Sequence, residues 1–585
     1  MDQTESGMPG LASTLIELLL SRSDQHPDKI AFTFLADGER EECYLRYGEL
    51  DRRARAVAAK LQRSCPEGQR AILLYPPGIE FIVGFFGCLY AGLIAVPTTP
   101  PRPNRPLSRF LAILSDAQTS TVLTTTSLLS QMNRRFSDAP EFTSLQWLAT
   151  DAEDADMGHA WCDPKVSPDA IAFLQYTSGS TASPKGVMVS YRNVMANESI
   201  IQQASQHTAS SVFVSWLPPF HDMGLIGLML QPLYVGAHCI LMPPIAFLQR
   251  PISWLRAISR YRGTTSGSPN FGYDLCVRKT TPEERSSLDL SSWTIAFNGA
   301  EPVRHTTIEQ FIRAFGPYGF RSDSLCPCYG LAEATLFVAG ARADIARGPV
   351  DSHGRRLVAC GQPYGGQRVR IVDPLTLAAI TDGEVGEIWI SGPCVAQGYW
   401  NRPEETKLTF QARLAGDSDG PFLRTGDLGF IKDGELVVAG RLKDLIIIRG
   451  RNIFPQDVEE TVEACHPGLR SGGCSAFCLE AHDEERLVVV QEIDARQCPD
   501  LDQVVGAIRQ AVAEEHEVLV HEVVLLKPGA LPRTSSGKLQ RCVCRERLLS
   551  GELSGSLLGR ANSSAGVAHS QSEDSPNNLV ERDAQ

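Results

Sequence analysis

Three features of the sequence predict an α/β fold of more than one domain. Strand-like apolar runs alternate with helical periodicity through the first part of the chain, the mark of largely parallel sheets covered by helices. Near Gly366 the style changes to short strands divided by turns, and after Arg441 a second set of strands and helices begins. A chain of 585 residues is also too long for a single hydrophobic core. The expected organisation is a large N-terminal domain over 1–440 of helix-covered mixed sheets, β-rich from about 366 to 440. A small α+β domain over 441–550 follows, and 551–585 read as a disordered tail rich in Ser, Asn and Asp.

Each element has its own signal. LASTLIELLLSRS from Leu11 carries helical spacing, and DKIAFTFL from Asp28 reads as a strand. AILLYPP from Ala71 is a second strand. The run FIVGFFGCLYAGLIAVP that follows, Phe81 to Pro97, is apolar for about the minimum length that spans a bilayer. Its glycines and the adjoining TTPPRPNRP favour a buried helix, a turn at Gly92 and a short strand, so no integral membrane segment is expected. SRFLAILSDA from Ser108 is helical and STVLTT from Ser120 strand-like. Ser190 is placed to cap a helix through RNVMANESIIQQAS, and PISWLRAISRYR from Pro251 begins a helix with proline in its first turn. RVRIVD, EVGEIWIS, FLRTGDLGFI and GELVVAG supply the later short strands. The last domain is expected to hold strands DLIIIRG, CSAFCLE, RLVVVQEI and EVVLLK with helices PQDVEETVEAC and DQVVGAIRQAVAEEH.

Composition narrows the function classes. With 43 % hydrophobic and 21 % charged residues the chain reads as an ordinary globular protein. A formal charge of -13 argues against a general nucleic-acid binder, which needs a basic face. The 16 cysteines include Cys326/Cys328 and Cys542/Cys544 but no CxxC pair and no histidines at zinc spacing. The N-terminus MDQTESGMPG lacks a basic region followed by an apolar run. Reduced thiols and a cytoplasmic location are the expectation.

The densest chemical signal is YTSGSTASPKGV, Tyr176 to Val187. Backbone N–H groups around Gly179 and Gly186, hydroxyls of Ser178, Ser180 and Thr181, and the charge of Lys185 together suit a polyphosphate. The order differs from GxxxxGK[ST], because the glycine follows the lysine and strands flank both sides. Standing alone, such a stretch also fits a polar surface turn.

Further segments gather polar groups at the ends of apolar strands. WLPPFHDMGL sets His221 and Asp222 in a turn after FVSWL. FNGAEPV holds Asn298, Gly299, Ala300 and Glu301, small enough in the middle for a flat ring to approach the backbone. CYGLAEAT holds Tyr329, a stacking face, with Gly330, and Glu333, a hard oxygen ligand. RTGDLG places Asp427 in a glycine-flanked turn, GRLKD adds Arg441 and Lys443, and LPRTSSGKLQR carries Lys538 on a Ser/Gly loop. In isolation His221 reads as a structural histidine and Glu333 as a solvated helix residue.

Taken in order, these motifs resemble the adenylate-forming superfamily over roughly residues 10–548. LYPPGIEFIVGFFGCLYAGLIAVP, LPPFHDMGLIG, SGSPNFGYDLC, NGAEPV, YGLAEAT and GRLKDLIIIRGRNIFPQDVE look in particular like the fatty acyl-AMP ligases. The resemblance implies ATP and Mg²⁺ as cofactors, with the polyphosphate on Thr177, Ser178, Gly179, Ser180, Thr181 and Lys185. It implies adenine against Asn298, Gly299, Ala300, Glu301, Tyr329 and Gly330, and ribose on Asp427 with Arg441. Glu333 would ligate the metal, His221 would lie beside the substrate carboxylate, and Lys538 would be the catalytic lysine. The small domain would be mobile about a hinge at Lys443. Gly267, Pro269, Asn270 and Tyr273 of SGSPNFGYDLC are candidates for an acyl-chain wall, and equally for a core strand-to-helix turn.

The implied reaction joins a fatty acid to AMP. The acyl group then passes to the phosphopantetheine thiol of an acyl carrier protein, or a carrier domain of a polyketide or nonribosomal peptide synthase. One segment departs from the family pattern. The connection FVAGARADIARGPVDSHGRRLVA before Cys360 is shorter than the insertion those ligases usually carry. A long-chain acyl-CoA ligase is therefore the alternative, and an aminoacyl adenylation domain a more distant one. A non-catalytic adenylate-fold binding protein is a further alternative, against which Lys538, Glu333 and Asp427 weigh.

Overall fold

A computed structural model describes residues 12–562 apart from 102–106, 137–141, 143, 153–154, 178–183, 343–348, 351–355, 417–418, 449–450, 482–483, 499 and 535–536. The chain divides into two compact units, the first Met1–Leu445 with Pro532–Glu546, the second Ile446–Leu531 with Arg547–Gln585. The segment that carries Lys538 thus packs within the first unit.

In the first unit, among the described residues, a six-stranded sheet runs in the order Gln146–Ala149, Thr121–Thr124, Arg70–Leu74, Ile94–Thr98, Ile171–Tyr176, Gly186–Ser190. Its strands are parallel except the last, which returns antiparallel to Ile171–Tyr176 with Tyr176 opposite Gly186. The apolar run after Ala71 folds as the helix Ile79–Tyr90, buried at every residue but Glu80, a turn at Gly92 and the strand Ile94–Thr98. No helix among the described residues is long and apolar enough to cross a membrane.

A nine-stranded sheet packs parallel strands Val212–Ser215, Thr265–Ser268, Ile295–Asn298 and Leu325–Gly330 side by side. Between them these strands bury Trp254, Trp293, Tyr273 and Phe311 in one aromatic core, with Tyr273 and Phe311 edge to face at 4.9 Å. Loops from the carboxyl ends of parallel strands are where α/β proteins place their chemistry. Here those loops are Trp216–Asp222, Pro269–Asn270, Gly299–Arg304 and Leu331–Thr335. The β-rich region is a four-stranded antiparallel sheet, Arg368–Val372, Gly386–Ser391, Leu423–Lys432 and Glu435–Arg441.

The helix Tyr191–Ser205 is capped as its sequence predicts. Ser190 accepts from Asn193 N–H while the Asn193 side chain accepts from the Ser190 backbone, a full capping box. The turn after FVSWL leads into a π-helix, Met223–Leu230, capped by Asp222, a feature that apolar periodicity does not reveal.

The second unit has its own four-stranded sheet, Leu469–Ala481, Glu484–Ile493, Val520–Leu526 and Leu557–Asn562, and its own core of valine, leucine and isoleucine. The helices Pro455–Ala464 and Leu501–His516 contribute buried Val458, Val462, Val504 and Ile508 to that core. One expectation is corrected here. Residues 551–562, read as part of a disordered tail, are ordered, and Leu557–Asn562 pairs antiparallel with Val520–Leu526. Leu558 and Ala561 pack on the core, and the open edge of Val520–Leu526 gains hydrogen-bond partners. Its polar, glycine-flanked sequence hid that strand. Residues 563–585 lie outside the described residues.

Candidate active site

The polyphosphate-type loop starts where the strand Ile171–Tyr176 ends. Thr177 N–H donates to the Lys185 carbonyl at 3.2 Å, so the loop closes on itself at its mouth. Arg109 Nη2 donates to the Thr177 carbonyl at 3.2 Å. Ser178, Gly179, Ser180 and Thr181 lie outside the described residues. Lys185 forms an ion pair with Glu405, and its Nζ sits 5.0 Å from the centre of the Tyr399 ring. Tyr399 arrives because the chain at 397–400 lies along the strand Gly186–Ser190, with Met188 N–H on the Gly398 carbonyl at 2.9 Å and Trp400 N–H on the Gly186 carbonyl at 2.8 Å.

Tyr399 in turn reaches Glu333. Its hydroxyl donates to Glu333 Oε1 at 2.8 Å. Glu333 is held by an unusual backbone. Thr335 has φ +68 and ψ −65, a conformation that costs a β-branched residue of order 1–3 kcal/mol. Its fully buried side chain pins the turn by donating to the Cys394 carbonyl at 2.7 Å. Ala396 N–H donates to the Glu333 carbonyl at 2.9 Å. Gly330 begins the same turn, and a Cβ there would lie 1.8 Å from the Leu336 carbonyl oxygen. Only glycine fits that approach.

Tyr329 and Asp427 meet in the interior. The phenol donates to Asp427 Oδ2 at 2.8 Å, and Arg441 Nε pairs with Oδ1 at 3.1 Å. Asp427 and Arg441 face each other across the antiparallel pair of strands Leu423–Lys432 and Glu435–Arg441, so sheet register fixes the contact. Burial pushes the Tyr329 phenol far up, with Asp427 adding to the effect. Asp427 raises the Arg441 guanidinium. The glycine-flanked turn expected around Asp427 is instead part of the strand Leu423–Lys432, where the buried Glu387 holds Arg424 at 2.7 Å and accepts from Gly426 N–H at 3.2 Å.

His221 and Asp222 form a close pair, Nδ1 to Oδ1 2.6 Å. Burial pushes the Asp222 carboxyl up, but the pairing with His221, aided by Lys538 and Met223 N–H, prevails and holds it down to about 2. Lys538 sits in a tight loop in which Thr534 N–H donates to the Lys538 carbonyl at 2.8 Å and Lys538 N–H to Thr534 Oγ1 at 3.0 Å. Burial is the largest influence on its ammonium and lowers its pKa. Asp222 opposes that, Arg441 adds to it, and Glu301 and Asp427 oppose it again. The lysine thus shares one electrostatic environment with the His221 turn, the Glu301 turn and the Asp427–Arg441 pair. Lys443 lies in the short 3-10 turn Leu442–Asp444, its ammonium lowered chiefly by burial.

Asn298 ends its strand with its Nδ2 donating to Asn270 Oδ1 at 3.1 Å, while Gly299 packs on Cys328 and Ala300 takes φ +73. The acyl-wall candidates stand in the strand-to-helix turn that was their alternative reading, from Thr265–Ser268 into Asn270–Lys279. Asn270 also donates to the Pro302 carbonyl at 2.9 Å and accepts from Arg304 N–H at 3.1 Å, so it staples the NGAEPV turn. Tyr273 is 1 % exposed, with its hydroxyl on the Phe297 carbonyl at 2.8 Å, and Gly267 packs directly on Phe297. Pro269 precedes the helix Asn270–Lys279 at its N-cap. These residues build the core behind the loops. An apolar cleft lined by Phe34, Phe81, Leu217, Pro219, Met229 and Met242 contains none of them.

Sequence reasoning passed over Tyr399, Glu405, Glu387 and Arg109. A carboxylate inside the apolar strand GEIWIS was the available signal for Glu387, because a buried charge must be paired. Tyr399 and Glu405 stand in QGYWNRPEET, whose pairing with Gly186–Ser190 is non-local and leaves no periodicity to read.

Comparisons with known proteins identify the family. A family model described as AMP-binding enzyme matches residues 20–400, and one described as Disco-interacting protein 2-like, AMP domain, matches 443–556. The chain is 49 % identical to the medium-chain-fatty-acid–[acyl-carrier-protein] ligase JamA of Moorena producens, over 92 % of this chain and 96 % of that protein. It is 37 % identical to the putative fatty-acid–CoA ligase FadD21 of Mycobacterium tuberculosis, over 92 % and 98 %. Among solved structures, the fatty acyl-adenylate ligase from Legionella pneumophila in complex with acyl adenylate and pyrophosphate is 40 % identical, covers 94 % of this chain and 98 % of its own, and superposes with a TM-score of 0.71. Matched over most of its length by the family model and by these relatives, the chain belongs to the AMP-binding, adenylate-forming enzymes, in their fatty acyl-AMP ligase branch.

Proposed function

We propose that this protein activates a fatty acid with ATP to an acyl-AMP and passes the acyl group to the phosphopantetheine thiol of an acyl carrier protein. The observation that supports the reading is the Lys538 loop, packed within the first unit with Gly537 against Phe271, where Asp222, Glu301 and Asp427 favour the charged ammonium that burial and Arg441 oppose. A lysine so placed meets the negative charge that builds on a phosphate when a carboxylate attacks it. JamA, the relative at 49 % identity, supports fatty acid as the donor and a carrier protein as the acceptor.

The residues fit ATP and magnesium. Asn298 Oδ1 is buried without a hydrogen-bond partner among the described residues, an acceptor that the amino group of a bound base would satisfy. Both Asp427 oxygens keep lone pairs for ribose hydroxyls beside their bonds to Tyr329 and Arg441. No group of three His, Cys, Asp or Glu that could hold a metal occurs among the described residues. A magnesium ion here would take Glu333 as its protein ligand, with phosphate oxygens and water completing the shell, the usual arrangement for that ion. It would neutralise phosphate charge during attack.

The chain's own groups then have distinct tasks. Lys185 and the Thr177 loop bind the polyphosphate. His221, oriented by Asp222, stands at the carboxylate. Lys538 offsets the charge developing at the α-phosphate, and pyrophosphate leaves. Lys443 is the hinge about which the Lys538 loop withdraws before thiol transfer. A second reading takes coenzyme A as acceptor, and the relation to FadD21 favours it. The connection before Cys360 includes residues 343–348 and 351–355, which lie outside the described residues, so the acceptor is decided by assay. Purified enzyme is given ATP, Mg²⁺ and fatty acids of graded length, with coenzyme A and a phosphopantetheinylated carrier offered in parallel. Acyl-carrier without acyl-CoA is expected. Acyl-CoA as main product overturns the choice of acceptor, and no pyrophosphate release with any fatty acid overturns the adenylation reading.

A further inference from the structure

Lys185 is engaged by the protein itself. Its ammonium pairs with Glu405, on the short helix Pro403–Phe410. The hydrogen bond from Lys185 is the largest influence on the Glu405 carboxyl and lowers its pKa. Arg402 braces the acid from behind, Nη1 to Glu405 Oε1 at 3.3 Å, and is anchored by Nη2 to Asp116 Oδ1 at 3.2 Å. Asp116 is fixed in turn by the Tyr176 hydroxyl at 2.6 Å, on the residue that opens the polyphosphate loop. On its other side Lys185 lies over the Tyr399 ring, whose hydroxyl holds Glu333 at 2.8 Å. One contiguous set of contacts therefore joins both ends of the loop to the metal-type carboxylate.

We propose that Glu405 is a positioning residue that competes with bound polyphosphate for the Lys185 ammonium, and so sets how tightly the site holds ATP and pyrophosphate. The proposal rests on the adenylation reading. A phosphate oxygen that takes Lys185 must draw it from Glu405, and the carboxylate favours the lysine's return when pyrophosphate departs. Tyr399 keeps the ammonium on its ring face during the exchange, at a fixed spacing from Glu333. The pair is partly exposed, with side chains 30 % and 39 % accessible, so the competition is modest and readily reversed.

The test is a double-mutant cycle on the full-length enzyme by ATP–pyrophosphate exchange and pyrophosphate inhibition. Glu405→Gln keeps the shape and removes the charge. It is expected to lower the KM for ATP and the inhibition constant for pyrophosphate together, each by about two- to fivefold, the scale of a half-exposed ion pair. Glu405→Asp should stay near wild type. In a Lys185→Gln background the Glu405→Gln change should have no further effect on either constant. A loss of bracing alone would raise both constants and persist in that background. If Glu405→Gln leaves both constants unchanged or raises them, or acts equally without Lys185, the proposal is overturned while wild-type exchange keeps the adenylation reading. Absence of exchange in the wild-type enzyme takes both down.

Discussion

The Tyr329 hydroxyl donates to Asp427 Oδ2 at 2.8 Å in a place where Asp427 is only 6 % exposed, with Arg441 on its other oxygen. An acid buried this way is aimed by its partners, and removing it leaves a phenol and a guanidinium without their acceptor. Asp427→Ala is expected to reduce adenylation by about 10²-fold or more, on the scale of losing one preorganised electrostatic group. ATP–pyrophosphate exchange measures it. Asp427→Asn, which keeps an acceptor for Tyr329, should fall between wild type and Asp427→Ala. Near-normal exchange in Asp427→Ala would remove Asp427 from the site.

Gly537 places Lys538. It has φ +86, and a Cβ on it would lie 2.5 Å from the Phe271 ring. Gly537→Ala therefore combines an unfavourable backbone with a clash, and the loop cannot seat as it does here. Lys538→Ala should cost adenylation about 10²–10³-fold. Gly537→Ala should reproduce much of that loss while the lysine is intact, and trimming Phe271 to Leu should restore part of it. Equal activity of Gly537→Ala and wild type would show that the loop acts from another position.

Most of the fold was legible because its elements announce themselves locally. The Ser190 cap, the buried helix ending before Gly92 and the strands around the Thr177 loop all follow from short-range rules. The motifs proposed for the chemistry stood out because polar and glycine residues interrupt apolar patterning there, at the ends of strands for Asn298 and Tyr329 and within a strand for Asp427. What escaped is non-local. Glu405 meets Lys185, and Tyr399 meets Glu333, only after the chain at 397–400 pairs with Gly186–Ser190. The contacts of Asn270 are non-local in the same way, its amide meeting Asn298, Pro302 and Arg304. The strand Leu557–Asn562 was hidden because an edge strand needs only a partner with open hydrogen bonds, and glycine and serine around it mimic a linker.

Lys443 separates the two half-reactions if the hinge is where the family pattern puts it. It occupies the 3-10 turn Leu442–Asp444, whose φ range proline tolerates in a first turn. Lys443→Pro therefore leaves this arrangement available but narrows rotation about the residue. The expectation is adenylation within about threefold of wild type, with acyl transfer to the carrier reduced at least tenfold, a split typical of gated steps. A coupled assay that shows both half-reactions unchanged would move the hinge elsewhere.

His207 supplies a pH dependence with a definite sign. It is buried, with Nε2 3.0 Å from Thr265 Oγ1 and its ring 4.7 Å from Phe213, and burial lowers its pKa to about 3. The Gln231 amide lies 3.4 Å from Nδ1 and also faces Glu198, a buried acid whose pKa burial drives well above the ordinary range. For the histidine the unfolded chain takes up a proton near pH 6.5 and the folded chain only near 3, so stability falls as the pH drops through that window, by up to about 1.4 kcal/mol per pH unit. Glu198 acts in the opposite sense, because its folded form keeps a proton that the unfolded chain has released. The difference between wild type and a variant isolates the histidine. His207→Gln keeps a hydrogen-bonding side chain that does not titrate, so its unfolding midpoint should decline less steeply between pH 6 and pH 4 than that of wild type. Parallel declines in urea titrations across that range would mean that His207 titrates alike in the folded and unfolded chains.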